Sequence, residues 1–286
     1  MKVALCVIVK NENLYLEEYV EHYKNLGFDK IFLYDNNDIT GEDPKDVLQK
    51  YIDMDLVTVI NYRGKKYCQC EAYEECYRTY NTEYDWIAFF DADEFLHIEH
   101  FTNINDFLSQ EKFNQFKWIY VNWLPYGDND LINYENLPIK ERFKIPANTW
   151  QAHIDQTCRK SILRGGISNL IWNIQVPHAH VHGPNSLFGQ NGELPLQCCN
   201  VLGLRTRPWY ECTLDIPECL AECHLKHYST KSTEEYVYKK LRGYPDYWGH
   251  NINLQNIVQD YFKFNTFSVK KLDTIINIWN SNKKTN

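Results

Sequence analysis

Short apolar runs alternate with amphipathic stretches through the first third of the chain. Residues 3–9 (V-A-L-C-V-I-V) are continuously apolar, the pattern of a central parallel strand buried on both faces. Lys10-Asn11-Glu12-Asn13 follows, with Asn available as a helix cap. Leu16, Tyr19, Val20, Tyr23 and Leu26 then recur at helical spacing, and Gly27 stops the run. A second strand is predicted over 30–34, ending in Asp35-Asn36-Asn37-Asp38, then a helix over 44–51 with Pro44 near its first turn. A third strand over 57–61 closes on Tyr62-Arg63-Gly64, and Ala72, Tyr73, Cys76, Tyr77 and Tyr80 mark a third helix. Residues 86–90 (W-I-A-F-F) predict a fourth strand, and the acids Asp91, Asp93 and Glu94 follow at once.

Such alternation implies an α/β fold: a Rossmann-like, mostly parallel sheet with right-handed crossovers and flanking helices. The second half is less regular. Strands are predicted over 117–123 and 159–163, with Tyr126-Gly127-Asp128-Asn129-Asp130 as a turn after the first. Residues 193–223 carry many Pro and Cys with little periodicity, and helical patterns return over 234–242, 254–264 and 269–279. With no internal repeat and no low-complexity linker, the expectation is one catalytic domain over 1–225, in two halves, 1–100 and 101–225. A helical segment over 226–286 would pack on it.

Composition narrows the function classes. The net charge of −8 disfavours non-specific nucleic-acid binding. Residues 1–10 lack a charged leader or cleavage site, and no apolar run approaches a membrane span, so a cytoplasmic protein is expected. Its ten cysteines are then expected as thiols. The C-terminal stretch differs from the acidic remainder. Lys263, Lys270, Lys271, Lys283 and Lys284 face the single acid Asp273, interleaved with Phe264, Phe267, Ile275 and Trp279. It reads either as a helix packed on the domain or as a peripheral contact with anionic lipid at the inner face of the plasma membrane.

Candidate chemistry gathers where strands end. Asn11 and Glu12, Asp35 to Asp38, Arg63, and Asp91 with Asp93 form the distribution expected of a nucleotide-binding edge. No G-x-G-x-x-G follows the first strand and no G-x-x-x-x-G-K-[ST] is present, which disfavours dinucleotide and P-loop folds. A D-x-D arises by chance about once in a chain of this length. Here it follows a hydrophobic strand, where its carboxylates can hold a divalent cation and the cation a diphosphate. In extended chain Asp91 and Asp93 would point the same way. His178, His180 and His182 would share a face if their segment is extended.

The pieces V-I-V-K-N-E-N-L-Y-L-E-E-Y-V-E-H-Y (7–23), Y-D-N-N (34–37), W-I-A-F-F-D-A-D-E-F-L (86–96) and H-Y-S-T-K-S-T-E-E-Y (227–236), continued by Lys239, Arg242 and Gly243, resemble sugar transferases of the glycosyltransferase A fold. The likeness is to family 92 and to bacterial family 2. The turn at 126–130 departs from the F-G-S-S-G-H-like turn of many family 92 members. The resemblance implies a GT-A fold, with 1–100 as the nucleotide-sugar-binding half and 101–225 as the acceptor half, and inverting transfer of a sugar, galactose as first guess, from a UDP-sugar. The acceptor would be a glycan or lipid-linked saccharide hydroxyl, in bacterial surface polysaccharide synthesis. It implies Mn²⁺ or Mg²⁺ at Asp91 and Asp93, with a C-terminal His as third ligand: His227 first, His180 second. Asp35 and Asn36 would lie near the base or ribose, Arg63 and Gln69 would line the donor pocket, and Lys231 and Arg242 would approach the diphosphate. Inversion needs one general base; Asp128 is the first choice and Asp155 the second. The alternatives are a sugar-nucleotidyltransferase, which wants a Gly-rich basic loop after the first strand, and a non-catalytic nucleotide-sugar-binding protein.

Overall fold

The computed structural model describes residues 1–167, 198–205, 216–243 and 252–283. Strands β1 (Val3–Val9), β2 (Lys30–Asp35), β3 (Val57–Asn61) and β4 (Trp86–Phe89) pair in parallel in the order β3-β2-β1-β4. Helices α1 (Asn13–Asn25), α2 (Lys45–Asp53) and α3 (Gln69–Tyr80) connect them. The unbroken apolar character of β1 has a direct cause. Val3, Leu5, Val7 and Val9 share a core with Leu16, Tyr19, Val20 and Tyr23 of α1. Ala4, Cys6 and Ile8 share the opposite core with Ala72, Tyr73, Cys76 and Tyr77 of α3. Side chains alternate across a strand, so one covered on both faces is apolar at every position. Glu12, not an Asn, stands at the cap position of α1, and no side chain caps that helix.

The chain then builds β5 (Glu94–Ile98), α4 (Ile104–Leu108), β6 (Trp118–Pro125), α5 (Ile139–Arg142), α6 (Trp150–Asp155) and β7 (Arg159–Arg164). It continues with β8 (Cys198–Cys199), α7 (Ile216–Glu222), β9 (Cys223–His227), α8 (Thr233–Leu241), α9 (Leu254–Phe264) and α10 (Val269–Asn282). The sheet runs on from β4 as β7-β6-β9-β5, with β8 beside β6. β6 is parallel to β9 and β8, while β7 is antiparallel to β4 and β6, and β5 to β9. The architecture is the expected mixed α/β sheet, mostly parallel, with flanking helices. The apolar pattern does not predict β5, α4, α7 or β9. β5 reads E-F-L-H-I, and its leading Glu94 is fully buried, a charge where a local reading places a loop.

Two features of this topology place the site. Strand order reverses between β1 and β4, and ligands of open α/β sheets bind outside the carboxyl ends of strands at such a switch point. The antiparallel registers then deliver side chains to it. Phe89 pairs with Ser161, which sets Lys160 against the residues after β4, and Glu94 pairs with His227, which sets His227 beside Asp93.

The expected division at residue 225 falls inside β9, a strand of the sheet. Beyond β9, α8 opens with a capping box: the Glu235 N–H donates to Ser232 Oγ at 3.3 Å, and the Ser232 N–H donates to Glu235 Oε2 at 3.1 Å. Arg142 pairs with the same carboxylate at 2.7 Å, both side chains buried. Ser232→Ala is expected to lower folding stability by about 1 kcal/mol, the usual worth of such a cap, read from urea unfolding. Helices α9 and α10 close over α8 through Tyr236, Val237, Ile257, Tyr261 and Ile275. Lys271 of α10 is buried between Asp128 and Asp130, at 2.7 and 2.8 Å. Ile275 and Lys271, two residues on which the lipid reading drew, are therefore spent inside the fold, while Phe267 and Val269 stay exposed. Among the described residues no helix is long and apolar enough to cross a membrane. Among the described residues the nine cysteines form no disulfide with one another.

Candidate active site

A cavity of about 510 Å³ opens at the switch point. It is lined from the end of β1 by Lys10 and Glu12, from α3 by Gln69, from the segment after β4 by Asp91 and Asp93, and from β9 by His227. Asp155, Lys239 and Arg242 stand on the same wall, with Asp260 and Lys263 beyond them in the lining. The D-x-D is not extended. Residues 92–93 form a turn leading into β5, so the two acids reach the same cavity with different partners.

Asp91 is held by three elements. Its Oδ1 accepts from Gln69 Nε2 at 3.0 Å and from Tyr73 Oη at 2.9 Å, and its Oδ2 from Lys160 Nζ at 2.6 Å. Its own N–H donates to Glu94 Oε2 at 2.8 Å. Lys160 is 0% exposed and lies 3.4 Å from Glu94 as well. Burial alone would depress this ammonium, but Asp91 and Glu94 outweigh it and raise its pKa. Burial pushes Glu94 well above the carboxylate range; Lys160 opposes that, and Asp91 and Asp93 add to it.

Asp93 belongs to the C-terminal side. Its Oδ2 accepts from Lys239 Nζ, and its Oδ1 lies 3.9 Å from His227 Nε2. Burial would raise this carboxyl, but Lys239, His227 and Lys231 overcome it and hold the group far below its usual range. Burial takes the His227 imidazole down to about 4 against the pull of Asp93, so it is neutral near pH 7. Its Nδ1 is buried without a hydrogen-bond partner. The Trp123 ring packs on it, centroids 4.1 Å apart.

On the opposite wall, Arg242 Nη2 donates to Glu12 Oε1 at 2.5 Å and Nη1 to the Asn11 carbonyl at 2.9 Å. The end of α8 is thereby clamped to the loop after β1. Glu12 and Arg242, with Lys239, are shared with an adjoining cavity of about 570 Å³ that Asn11 and Lys231 also line. Lys231 is buried with a left-handed backbone, φ 51°, its ammonium 3.9 Å from Glu12 Oε2 and 4.2 Å from the Tyr15 ring centre. Burial lowers its pKa while Glu12 opposes.

Asp155 ends α6, a helix capped by Thr149, and its Oδ1 accepts from Gln151 Nε2 at 2.7 Å. Burial raises its pKa, opposed by the Gln151 hydrogen bond and by Lys263. Asp128 stands differently. It does not line the cavity, and its oxygens accept from Tyr261 Oη, the Asp130 N–H at 2.9 Å and Lys271 at 2.7 Å. It ties the turn at 126–130 to α9 and α10. Asp35, Asn36 and Arg63 also stand off the cavity wall. Arg63 pairs with Asp35 at 2.7 Å and donates to the carbonyls of Asp38, Gly41 and Glu42, while Asn36 Nδ2 donates to those of Tyr62 and Lys65. These three shape the loops after β2 and β3. His178, His180 and His182 lie outside the described residues.

Sequence reasoning passed over Lys160 and Tyr73 and gave Lys239 no role. The signal for Lys160 was present: a lysine inside the strand pattern at 159–163, where a charge needs a partner. Among the described residues no three His, Cys, Asp or Glu side chains converge closely enough to hold an ion unaided. Asp93 and His227 offer one carboxylate oxygen and one neutral imidazole nitrogen. Their 3.9 Å separation is too long for a hydrogen bond and within the roughly 4 Å that two ligands of one small divalent ion span.

The profile of glycosyltransferase family 92 matches residues 1–192, which contain β1 to β7 and both acids of the D-x-D. A family 92 protein from Ricinus communis is 25% identical over 105 residues, covering 37% of this chain and 19% of its own length. One from Arabidopsis thaliana is 28% identical over 108 residues, covering 33% and 16%. The matches thus span less than a fifth of these relatives. Among solved structures, S. aureus TarS 1-349 aligns over 100% of this chain and 74% of its own, at 13% identity and a TM-score of 0.43. The mannosyltransferase PcManGT of Pyrobaculum calidifontis, in complex with GDP-Man and Mn²⁺, aligns over 43% and 35%, at 12% identity and a TM-score of 0.33.

Proposed function

This chain belongs to glycosyltransferase family 92, and from that premise we propose that the switch-point cavity binds a nucleoside-diphosphate sugar with a divalent cation and passes the sugar to an acceptor hydroxyl with inversion. The observation that carries the reading is the pair Asp93 and His227: a carboxylate oxygen just after β4 and an imidazole nitrogen at the end of β9, both buried and 3.9 Å apart. Mg²⁺-type sites use one or two protein ligands and complete their shell with substrate phosphate and water. Two protein ligands therefore suit a cation that arrives with a diphosphate. Mn²⁺ or Mg²⁺ at Asp93 and His227 would act as a Lewis acid on the departing diphosphate. Asp91, fixed by Lys160, Gln69 and Tyr73, flanks the ion's place.

The remaining roles fall to this chain's own side chains. Lys239 and Arg242 present positive charge where negative charge grows on the leaving group. Lys231 serves the same end from the adjoining cavity. Asp155 takes the proton of the acceptor hydroxyl. Supporting that choice over Asp128 are its place on the cavity wall and its raised pKa. UDP-sugars, galactose first, are the proposed donors, and a glycan or lipid-linked saccharide the proposed acceptor.

The test is incubation with a panel of UDP-sugars and Mn²⁺, with products separated by mass. Release of UDP, by slow hydrolysis or by transfer to an added sugar, supports the reading. Pyrophosphate release, the mark of a nucleotidyltransferase, or an unchanged donor across the panel, overturns it.

A further inference from the structure

Lys239 stands on the wall that the two cavities share. Its ammonium binds Asp93 Oδ2 and lies 3.3 Å from the Ser229 carbonyl oxygen. The other oxygen of that carboxylate faces His227 at 3.9 Å. One buried acid thus has a resident cation on one side and the proposed place of a second on the other. The other acids on the cavity wall have partners of their own: Glu12 has Arg242 at 2.5 Å, Asp91 has Lys160 at 2.6 Å, Asp260 has Lys263 at 2.7 Å, and Asp155 accepts from Gln151 at 2.7 Å. A divalent ion entering while Lys239 holds Asp93 meets like charge in a site poorly screened by solvent. A diphosphate changes the balance, because it offers Lys239 a second anionic partner within the same cavity. A lysine suits such an exchange: a compact point charge on a four-carbon stem, able to move between anions.

We propose, resting on the metal and diphosphate reading above, that Lys239 is a counter-cation that holds Asp93 until the diphosphate draws it away, so that divalent metal and nucleotide bind cooperatively. Linkage makes the coupling reciprocal: the factor by which UDP raises Mn²⁺ affinity equals the factor by which Mn²⁺ raises UDP affinity. Lys239 then positions the metal by leaving its ligand, and contacts substrate by joining the diphosphate.

Mn²⁺ binding to the full chain is measured from the spin-resonance signal of free Mn²⁺, with and without saturating UDP, for the wild type, Lys239→Met and Lys239→Arg. Circular dichroism and melting confirm folding. In the wild type, UDP is expected to raise Mn²⁺ affinity at least about tenfold. Lys239→Met is expected to bind Mn²⁺ about tenfold more tightly than the wild type without UDP, and to gain little when UDP is added. Lys239→Arg, which keeps the cation, should follow the wild type. Equal Mn²⁺ affinity of wild type and Lys239→Met without UDP, or an Arg variant that behaves like Met, overturns the role of Lys239 while metal binding itself stands. Mn²⁺ bound by none of the proteins, with or without UDP, overturns the metal reading and this inference together. Should Lys239→Met fail to fold, the wild type alone decides: Mn²⁺ affinity that UDP leaves unchanged overturns the coupling.

Discussion

Asp155→Asn is expected to lower the rate of sugar transfer about 10²–10⁴-fold, the usual contribution of a general base, and to leave the proposed Mn²⁺-dependent UDP binding unchanged. The substitution keeps the size of the side chain and its place at the end of α6, where Gln151 approaches it. It removes only the ability to take a proton. The pH profile supplies a second readout. Burial raises the Asp155 pKa above the ordinary 3.8, and the base works only when deprotonated. The wild-type kcat/KM is therefore expected to fall as pH drops through that raised value and to be restored above it. The variant's residual rate lacks this limb. A variant with transfer close to wild type would remove Asp155 from the mechanism.

Asp93→Asn is expected to abolish the response of UDP affinity to Mn²⁺ and to lower transfer at least about a hundredfold. Losing the hydrogen-bond partner of a metal ligand already costs about 10–100-fold, and the ligand itself counts for more. Lys239 holds Asp93 as a carboxylate, and a neutral amide oxygen is a weaker ligand for a hard cation than that anion. Calorimetric titration of UDP in Mn²⁺ and in EDTA reads the effect directly, and the melting temperature separates it from unfolding. Wild-type Mn²⁺ dependence in the variant would remove Asp93 from the metal site. Asp91→Asn is expected to act less directly, since Asp91 is committed to Lys160, Gln69 and Tyr73.

The legible parts of the sequence were those that local chemistry dictates. β1 and β4 are apolar at every position because both faces are covered, so their limits and the acids that follow β4 could be read from the pattern alone. The capped helices at 233–241 and 254–264 announced themselves by spacing in the same way. What could not be read depends on partners distant in sequence. Asp128 looks like a catalytic turn residue until Tyr261, 133 residues on, is seen to donate to it. Lys160 reads as a stray charge until the register of β7 on β4 brings it to Asp91. Asp35, Asn36 and Arg63 end their strands as expected, yet they bind one another's loops rather than lining the cavity. A charged residue at a strand end does not reveal whether it faces a ligand or a neighbouring loop.

The central claim is that UDP and a divalent cation share the cavity at Asp93 and His227. It is tested most directly by titrating UDP into the wild-type chain in the presence of Mn²⁺ and again in EDTA. The predicted result is saturable binding with Mn²⁺ that weakens at least about tenfold in EDTA, the coupling expected of ligands that meet at one site. Equal affinity in the two buffers, or no binding in either, would contradict it.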